Sequence, residues 1–392
     1  MVITMEIVKL REDIYYVGAV DWNVRSFHGY TTNRGATYNA YLIMDEKITL
    51  IDTVKAPFGQ ELLERIAEIV DPAKIDYLVS NHVEMDHSGA IPAVMEVAKN
   101  ATIITSEPSG LKGLQAHYGS QYKYQTVKAG DVLSLGKRSL TFVATPMLHW
   151  PDNMVTYCKE EKILFSNDAF GQHFASSKHF DDEVDLNIVM QEAEKYYANI
   201  LMPYGKQANK AIEIVRSLPL EMIAPSHGVI FRSHIEDILD RYSYFCNGEN
   251  EAKALVVYDS MWHSTEKMAF AILEGFKRAG ISCSLYDLKE NHISDIATQV
   301  LKAEYLVVGS PTLNNNILPT VGAFLTYMKG LSPKGKKGFA FGSYGWGPQS
   351  ISNIQKELEA MGVELVQEPM KINYIPTKEQ LREIEDRIAG VQ

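Results

Sequence analysis

Cysteine is scarce in this chain. Cys158, Cys246 and Cys283 are the only three in 392 residues, and they form no CxxC pair. That spacing excludes a cysteine-held zinc or iron–sulfur site. It fits a reducing cytoplasm, with each thiol expected as a small buried apolar group. Basic residues are outnumbered, 38 Lys and Arg against 49 Asp and Glu, for a net charge of −11. Such a balance argues against a nucleic-acid or anionic-membrane partner, because both require a basic face. No apolar run approaches the length of a membrane span. The N-terminal MVITMEIVKLRED lacks a charged stretch followed by a long apolar one, so no signal peptide is expected. There is no GxGxxG after a strand and no GxxxxGK[ST], which disfavours a dinucleotide fold or a P-loop. Internal repeats and low-complexity tracts are absent as well.

What is present points to two domains. The chain is too long for one ordinary core, and 46% hydrophobic with 22% charged residues suits a soluble globular protein. Residues 1–250 are rich in short β-like runs such as IYYVGAV, YNAYLIM, KITLIDT, YLVSN, TIITS, SLTFVATP and ILFSN. Helical periodicity lies between some of them, as in GQELLERIAEIV. A sandwich of sheets with helices outside is expected. After the polar segment CNGENEAK the pattern changes. From residue 253 to 392, strands such as ALVVYD, CSLYDL, YLVVGS and GFAFGS alternate with helical segments. Five β–α units in that length predict a small doubly wound parallel sheet.

The first candidate site is N-H-V-E-M-D-H-S-G, starting at Asn81. His82, Glu84 and Asp86 alternate, and His87 follows directly. The cluster comes straight after the apolar run YLVS, and alternate residues of an extended loop point to one side. Ser88 is expected to open a helix. Three more ligand types each follow an apolar run: His149 after TFVATPML, Asp168 after ILFSN, and His227 after MIAPS. A lone histidine after a strand is ordinarily a hydrogen-bonded structural residue. Four ligating groups between Asn81 and Gly89 are a different matter. Four imidazoles and three carboxylates exceed the needs of one metal, so two metals sharing a carboxylate are expected. Asp168, alone between the outlying histidines, is the natural bridge. Without thiolates, the nitrogen and oxygen set suits iron or manganese, although zinc accepts these ligands too.

The second candidate site is built from three loops. After ALVVYD come Ser260, Trp262, His263, Ser264 and Thr265, a hydroxyl-rich stretch opening a helix. The first amides of a helix are unpaired and its dipole is positive there, so such a stretch can bind a phosphate. Ser310, Pro311, Thr312, Asn314 and Asn315 follow YLVVG. Ser343, Tyr344, Gly345, Trp346 and Gly347 follow GFAFG. In a sheet of order 2-1-3-4-5 these loops meet at the carboxyl edge, where ligands bind. Glycines let backbone amides approach a flat ring, and Tyr344 or Trp346 can flank it. Alone, each loop is as well explained as a turn; together they predict FMN.

The first segment resembles the metallo-β-lactamase-like fold, whose hydrolases carry His-x-His-x-Asp-His. Here Glu84 stands where the second histidine would be. That exchange resembles the flavodiiron proteins (A-type flavoproteins), and the Trp-x-Ser-Thr of the first flavin loop is similar to their version. A plain flavodoxin would carry glycine near His263. The resemblance spans essentially the whole chain. It implies a metallo-β-lactamase-like αβ/βα sandwich followed by a flavodoxin-like sheet. It implies one iron held by His82, Glu84 and His149, a second by Asp86, His87 and His227, and Asp168 bridging both. In some family members the counterpart of His87 is turned away from the iron. Family counterparts of His28 and Tyr196 line the diiron pocket, whereas on position alone the first reads as a loop residue and the second as core.

The resemblance further implies a cytoplasmic oxidoreductase reducing dioxygen to water or nitric oxide to nitrous oxide at two irons, with FMN relaying electrons. It implies a head-to-tail homodimer or a dimer of dimers. An external donor is implied, rubredoxin or a reduced deazaflavin coenzyme, since no cysteine-bearing rubredoxin module follows the fifth strand. Two alternatives stand beside it. One is a zinc hydrolase of the same sandwich fold, and the other is a redox sensor or electron carrier without turnover.

Overall fold

The computed structural model describes residues 7–391, so the first six residues of the segment read above for a signal peptide lie outside the described part. Two compact units emerge. The first runs to Phe27 and continues through Thr32–Tyr196 and Lys206–Ser243; the second holds His28–Thr31, Tyr197–Gly205 and the chain from Tyr244 onward. The helix Ile235–Asn247 ends just before the polar stretch, and the strand Glu251–Tyr258 follows it. Among the described residues no helix is long and apolar enough to cross a membrane.

The first unit contains two main sheets. One orders its strands Val8–Arg11, Ile14–Tyr16, Tyr41–Ile43, Thr49–Ile51, Tyr77–Ser80, Thr102–Ser106 and Tyr124–Val127. The other orders Val132–Ser134, Ser139–Ala144, Met154–Cys158, Ile163–Asn167 and Met222–Pro225. Why these become a layered sandwich is visible in neighbouring residue pairs. Successive side chains of a strand face opposite ways. Ile43, Ile51, Val79 and Ile104 point into a core shared with Phe142, Cys158, Ile163 and Phe165 of the other sheet. Their neighbours Leu42, Leu50, Leu78 and Ile103 instead join Leu62, Ile66, Val94 and Leu114 from helices on the outer face. A strand covered on both faces has no polar alternation, and this is why these runs are continuously apolar.

Strand direction sets the site. Ile163–Asn167 and Met222–Pro225 pair in parallel, so the chain leaves both at the same edge, just before Asp168 and His227. Ser139–Ala144 and Met154–Cys158 pair antiparallel, and the loop between them at that edge carries His149.

The second unit is a parallel sheet in the order Ser282–Asp287, Glu251–Tyr258, Ala303–Gly309 and Lys337–Tyr344, which is 2-1-3-4 in chain sequence. The fifth strand is split: Glu364–Leu365 and Met370–Asn373 both pair in parallel with Lys337–Tyr344. Gly342 shows how tightly strands three and four approach. A Cβ there would lie 2.0 Å from the Ser310 carbonyl oxygen, a backbone atom that cannot swing aside. Gly342→Ala is therefore expected to destabilise the protein by about 3 kcal/mol through forced strand separation. A lowered urea midpoint tests this, and an unchanged midpoint refutes it.

The thiols are less uniform than expected from sequence. Cys158 is buried, whereas Cys246 and Cys283 are half-buried. Burial pushes Cys158 and Cys246 up to about 11 and Cys283 to about 12, so all three stay protonated and weakly nucleophilic at neutral pH.

Candidate functional site

Asp52 organises the approach to the first site. Its side chain is buried at φ 53°, and burial raises its acid above the ordinary range, while amide donors partly offset this. Its Oδ1 accepts from the Asn81 backbone N–H at 2.7 Å. Its Oδ2 accepts from Asn81 Nδ2 at 2.9 Å and from Asn167 Nδ2 at 3.3 Å. Asn81 precedes His82 and Asn167 precedes Asp168, so one carboxylate holds the residue in front of each of two site residues.

From Asn81 onward the chain is not one extended loop, as alternation had suggested. Met85–Ser88 is a single helical turn with Glu84 at its N-cap. Ser88 does not open the next helix; its hydroxyl donates to the Val83 carbonyl at 2.7 Å. The turn separates the ligand types into two groups. His82, Glu84, His149 and Asp168 offer ligand atoms within 4.8 Å of one another, and so do Asp86, His87 and His227. His82, Asp86, His87, Asp168 and His227 are buried, as is Glu84, and only His149 is half-buried.

Asp168 faces both groups. Its Oδ2 lies 3.6 Å from His82 Nε2 and 3.5 Å from His149 Nε2. Its Oδ1 lies 2.9 Å from His87 Nε2 and 3.6 Å from His227 Nε2. Glu84 Oε2 is 3.2 Å from His82 Nε2 and 3.1 Å from His149 Nε2. Asp86 Oδ2 stands 3.1 Å from His227 Nε2. Both carboxylate oxygens of Asp86 and of Asp168, and both ring nitrogens of His87, are buried without a hydrogen bond. Buried polar atoms left this way are costly unless something else satisfies them. A pair of cations would do so, and seven nitrogen and oxygen donors without sulfur fit hard to borderline metals.

The electrostatics agree. Burial alone would lower the His82 imidazolium, but Asp152, Glu84 and Asp168 outweigh it and raise it well above its usual value. Burial likewise opposes charge on His87, but Asp86 and Asp168 raise it to about 9. Burial works against the Asp168 carboxylate too, yet His87, His82 and His149 hold it far below the ordinary carboxylate range.

Outer partners fix the rings. His82 Nδ1 is 2.9 Å from Asp152 Oδ2, which also accepts from the Val83 N–H at 2.8 Å. His227 Nδ1 donates to the Thr37 carbonyl at 2.6 Å. These contacts leave each Nε2 directed at the cluster. Asp152 was not singled out from sequence, although its place three residues after His149 was a usable signal for a ligand-orienting carboxylate. Trp150 stands edge-on to His82 with ring centroids 5.1 Å apart. Tyr196 is buried with its ring 6.0 Å from that of His227. His173, missed from sequence, packs edge-on against His227 at 4.6 Å. His28 is exposed, at φ 49° in the turn after Ser26–Phe27, and is grouped with the second unit.

In the second unit a cavity of about 660 Å³ opens at the carboxyl edge of the parallel sheet. From the first loop Trp262 and Ser264 line it, with Met261 added. From the second come Pro311, Thr312 and Asn314, with Leu313 added. Ser343, Tyr344, Gly345 and Trp346 line it from the third. Tyr374 and Ile375, which follow the fifth strand, complete the wall and were missed because only the loops after strands one, three and four were considered. Trp262 and Trp346 are 85% and 82% exposed.

The remaining loop residues shape the walls. His263 sits at φ 63°, left-handed, with Nδ1 2.7 Å from Glu266 Oε2. That backbone explains why a glycine would be usual there. Thr265 and Ser343 share a hydroxyl hydrogen bond of 2.9 Å that joins the first and third loops. The Ser310 hydroxyl accepts from the Leu318 N–H at 3.0 Å. Asn314 and Asn315, at φ 49° and 59°, are the two central residues of a tight turn closed between Leu313 and Asn316. Ser260 is buried, and its hydroxyl has no hydrogen-bond partner. Gly347 lies beyond the lining residues in the same loop.

The architecture and the two sites define an oxidoreductase built from a metallo-β-lactamase-like domain and a flavodoxin-like domain. Residues 36–228 match the ODP family beta lactamase model, and residues 256–386 match the Flavodoxin model. The chain is 47% identical over 381 residues to a nitric oxide reductase of Moorella thermoacetica, covering 96% of this chain and 95% of that one. The solved rubredoxin oxygen:oxidoreductase from Desulfovibrio gigas superposes with a TM-score of 0.96 at 43% identity, covering 98% and 97% of the two chains. The flavodiiron protein from Giardia intestinalis also superposes with a TM-score of 0.96, at 36% identity, covering 100% and 97%. The chain belongs to the flavodiiron protein family.

Proposed function

We propose that this protein reduces dioxygen to water, nitric oxide to nitrous oxide, or both, using two non-haem irons in the first unit and FMN in the second. The single observation that carries the metal assignment is Asp168, whose two carboxylate oxygens face two separate ligand groups. On this reading His82, Glu84 and His149 hold one iron, Asp86, His87 and His227 the other, and Asp168 joins them. When bound, the two irons would supply two electrons and FMN two more.

The chain's own residues do the rest. Four imidazoles and three carboxylates fix the two positions, so that both reacting atoms are held in one frame. Tyr196, buried beside His227, stands as a proton donor to the reduced substrate. His28 is proposed for the same task on the strength of the family resemblance. The apolar, aromatic-walled cavity suits an isoalloxazine ring, with Ser260, Ser264, Thr265 and the first helical amides facing its phosphate. The electron donor is external, a rubredoxin or a reduced deazaflavin coenzyme. The protein is proposed to work in the cytoplasm as a head-to-tail homodimer or dimer of dimers. Glu84, together with the flavodoxin-like domain, disfavours a zinc hydrolase.

The test is side-by-side consumption of dioxygen and nitric oxide by the purified yellow protein, with one chemical reductant in excess. Turnover of at least one gas, with iron and flavin both present, is expected. A colourless zinc protein, or a flavoprotein that consumes neither gas, refutes the proposal.

A further inference from the structure

The loop between the strand Glu251–Tyr258 and the helix Ser264–Arg278 carries a buried charge that phosphate binding does not call for. Asp259 is 6% exposed. Its Oδ2 accepts from Thr320 Oγ1 at 2.5 Å, and its Oδ1 accepts from the Ser260 N–H at 2.6 Å. The carboxylate therefore stands one residue from Ser260, whose hydroxyl is buried and has no hydrogen-bond partner. An unpartnered buried hydroxyl in the loop that leads into a helix is suited to an anionic acceptor. A carboxylate next to it is not, because two like charges in a partly desolvated loop repel.

Lys289 resolves the conflict. It comes from the turn after the neighbouring strand Ser282–Asp287, and its Nζ lies 3.4 Å from Asp259 Oδ1. The same Nζ donates to the Ser260 carbonyl at 2.8 Å. One ammonium thus neutralises the buried acid and holds the peptide group that leads into the rest of the loop. The Lys289 side chain is 46% exposed and does not line the cavity, so it acts from outside it. Thr320, at the start of the helix Pro319–Leu331, holds the other oxygen of the same carboxylate. The loop is pinned from two sides through Asp259, and Lys289 removes the electrostatic penalty of that arrangement.

We propose that Lys289 is a positioning residue for the FMN phosphate, acting by neutralising Asp259 and by fixing the Ser260 carbonyl so that the Ser260 hydroxyl is presented to a dianion. The proposal rests on the reading of the second unit as an FMN site. It separates Lys289 from a direct phosphate ligand, because most of its effect must go when Asp259 carries no charge, the contacts to the Ser260 carbonyl and to Asp287 carrying the remainder.

The experiment titrates the flavin-free, full-length chain with FMN and with riboflavin, which lacks the phosphate, and follows quenching of flavin fluorescence. Lys289→Met is expected to weaken FMN binding about tenfold while leaving riboflavin within about twofold of the wild type. Lys289→Arg is expected to retain FMN affinity. Adding Asp259→Asn to Lys289→Met is expected to restore most of the loss. Equal losses for both flavins would mark a general loss of loop structure and overturn the proposal. So would wild-type FMN affinity in Lys289→Met, or a double variant no better than the single one. If the wild-type chain takes up riboflavin and FMN equally, or neither, the FMN reading fails and this proposal fails with it.

Discussion

Replacing Asp168 with alanine is expected to empty both metal positions at once and to leave flavin content unchanged. Asp168 is 1% exposed, and each of its oxygens faces a different pair of histidines. Without it, each group keeps three protein donors but loses the shared anion between them. Four imidazoles would then surround two cations with only Glu84 and Asp86 to offset the charge. Metal affinity at each position should fall by on the order of a hundredfold or more, beyond what loss of an outer partner costs. The contrast is with Glu84→Ala and His227→Ala, each of which should deplete one position first. Metal content per chain, measured beside flavin absorbance, decides the matter. Two metals retained in Asp168→Ala would mean that this carboxylate is not the bridge.

The second large effect is linkage between protons and metal. In the metal-free chain His87 titrates at about 9, because Asp86 and Asp168 outweigh the effect of burial, and His82 is raised in the same direction. Both rings therefore carry a proton at neutral pH, and a metal must displace it. For the His87 proton alone, metal affinity should weaken by about tenfold for each pH unit below 9. Calorimetry in buffers of different ionisation heat should register proton release on metal uptake. Stability of the metal-free chain runs the other way. A histidine raised on folding contributes stability that is fully present below its unfolded value near 6.5 and is lost as pH rises through 9. The metal-free protein should melt at a higher temperature at pH 6 than at pH 9.5. A melt that rises with pH over that window, or metal uptake without proton release, would contradict the assigned ion pairs.

Much of the first site was legible because its donors are dense in sequence. Four of the seven lie between His82 and His87, and each of the other three directly follows an apolar strand. What misled was local geometry. Alternation along an extended loop would turn His82, Glu84 and Asp86 to one side, whereas the helical turn Met85–Ser88 sends Asp86 and His87 to a second group. Asp152 and Thr37 escaped notice because an orienting contact depends on a partner 70 or 190 residues away, and no local pattern marks it. The same holds for Tyr374 and Ile375, which reach the cavity only because the fifth strand is split and its second half pairs with Lys337–Tyr344.

The sequence by itself determined the donor types, their order along the chain, and the switch of rhythm after the polar stretch. Those depend on residue chemistry and on periodicity, which are local. The tertiary structure alone decided which candidate donors lie together, that Asp168 turns one oxygen to each group, and which side chains wall the cavity. Those are distances between segments far apart in the chain, and only the pairing of Ile163–Asn167 with Met222–Pro225, and the turn after Glu84, could set them.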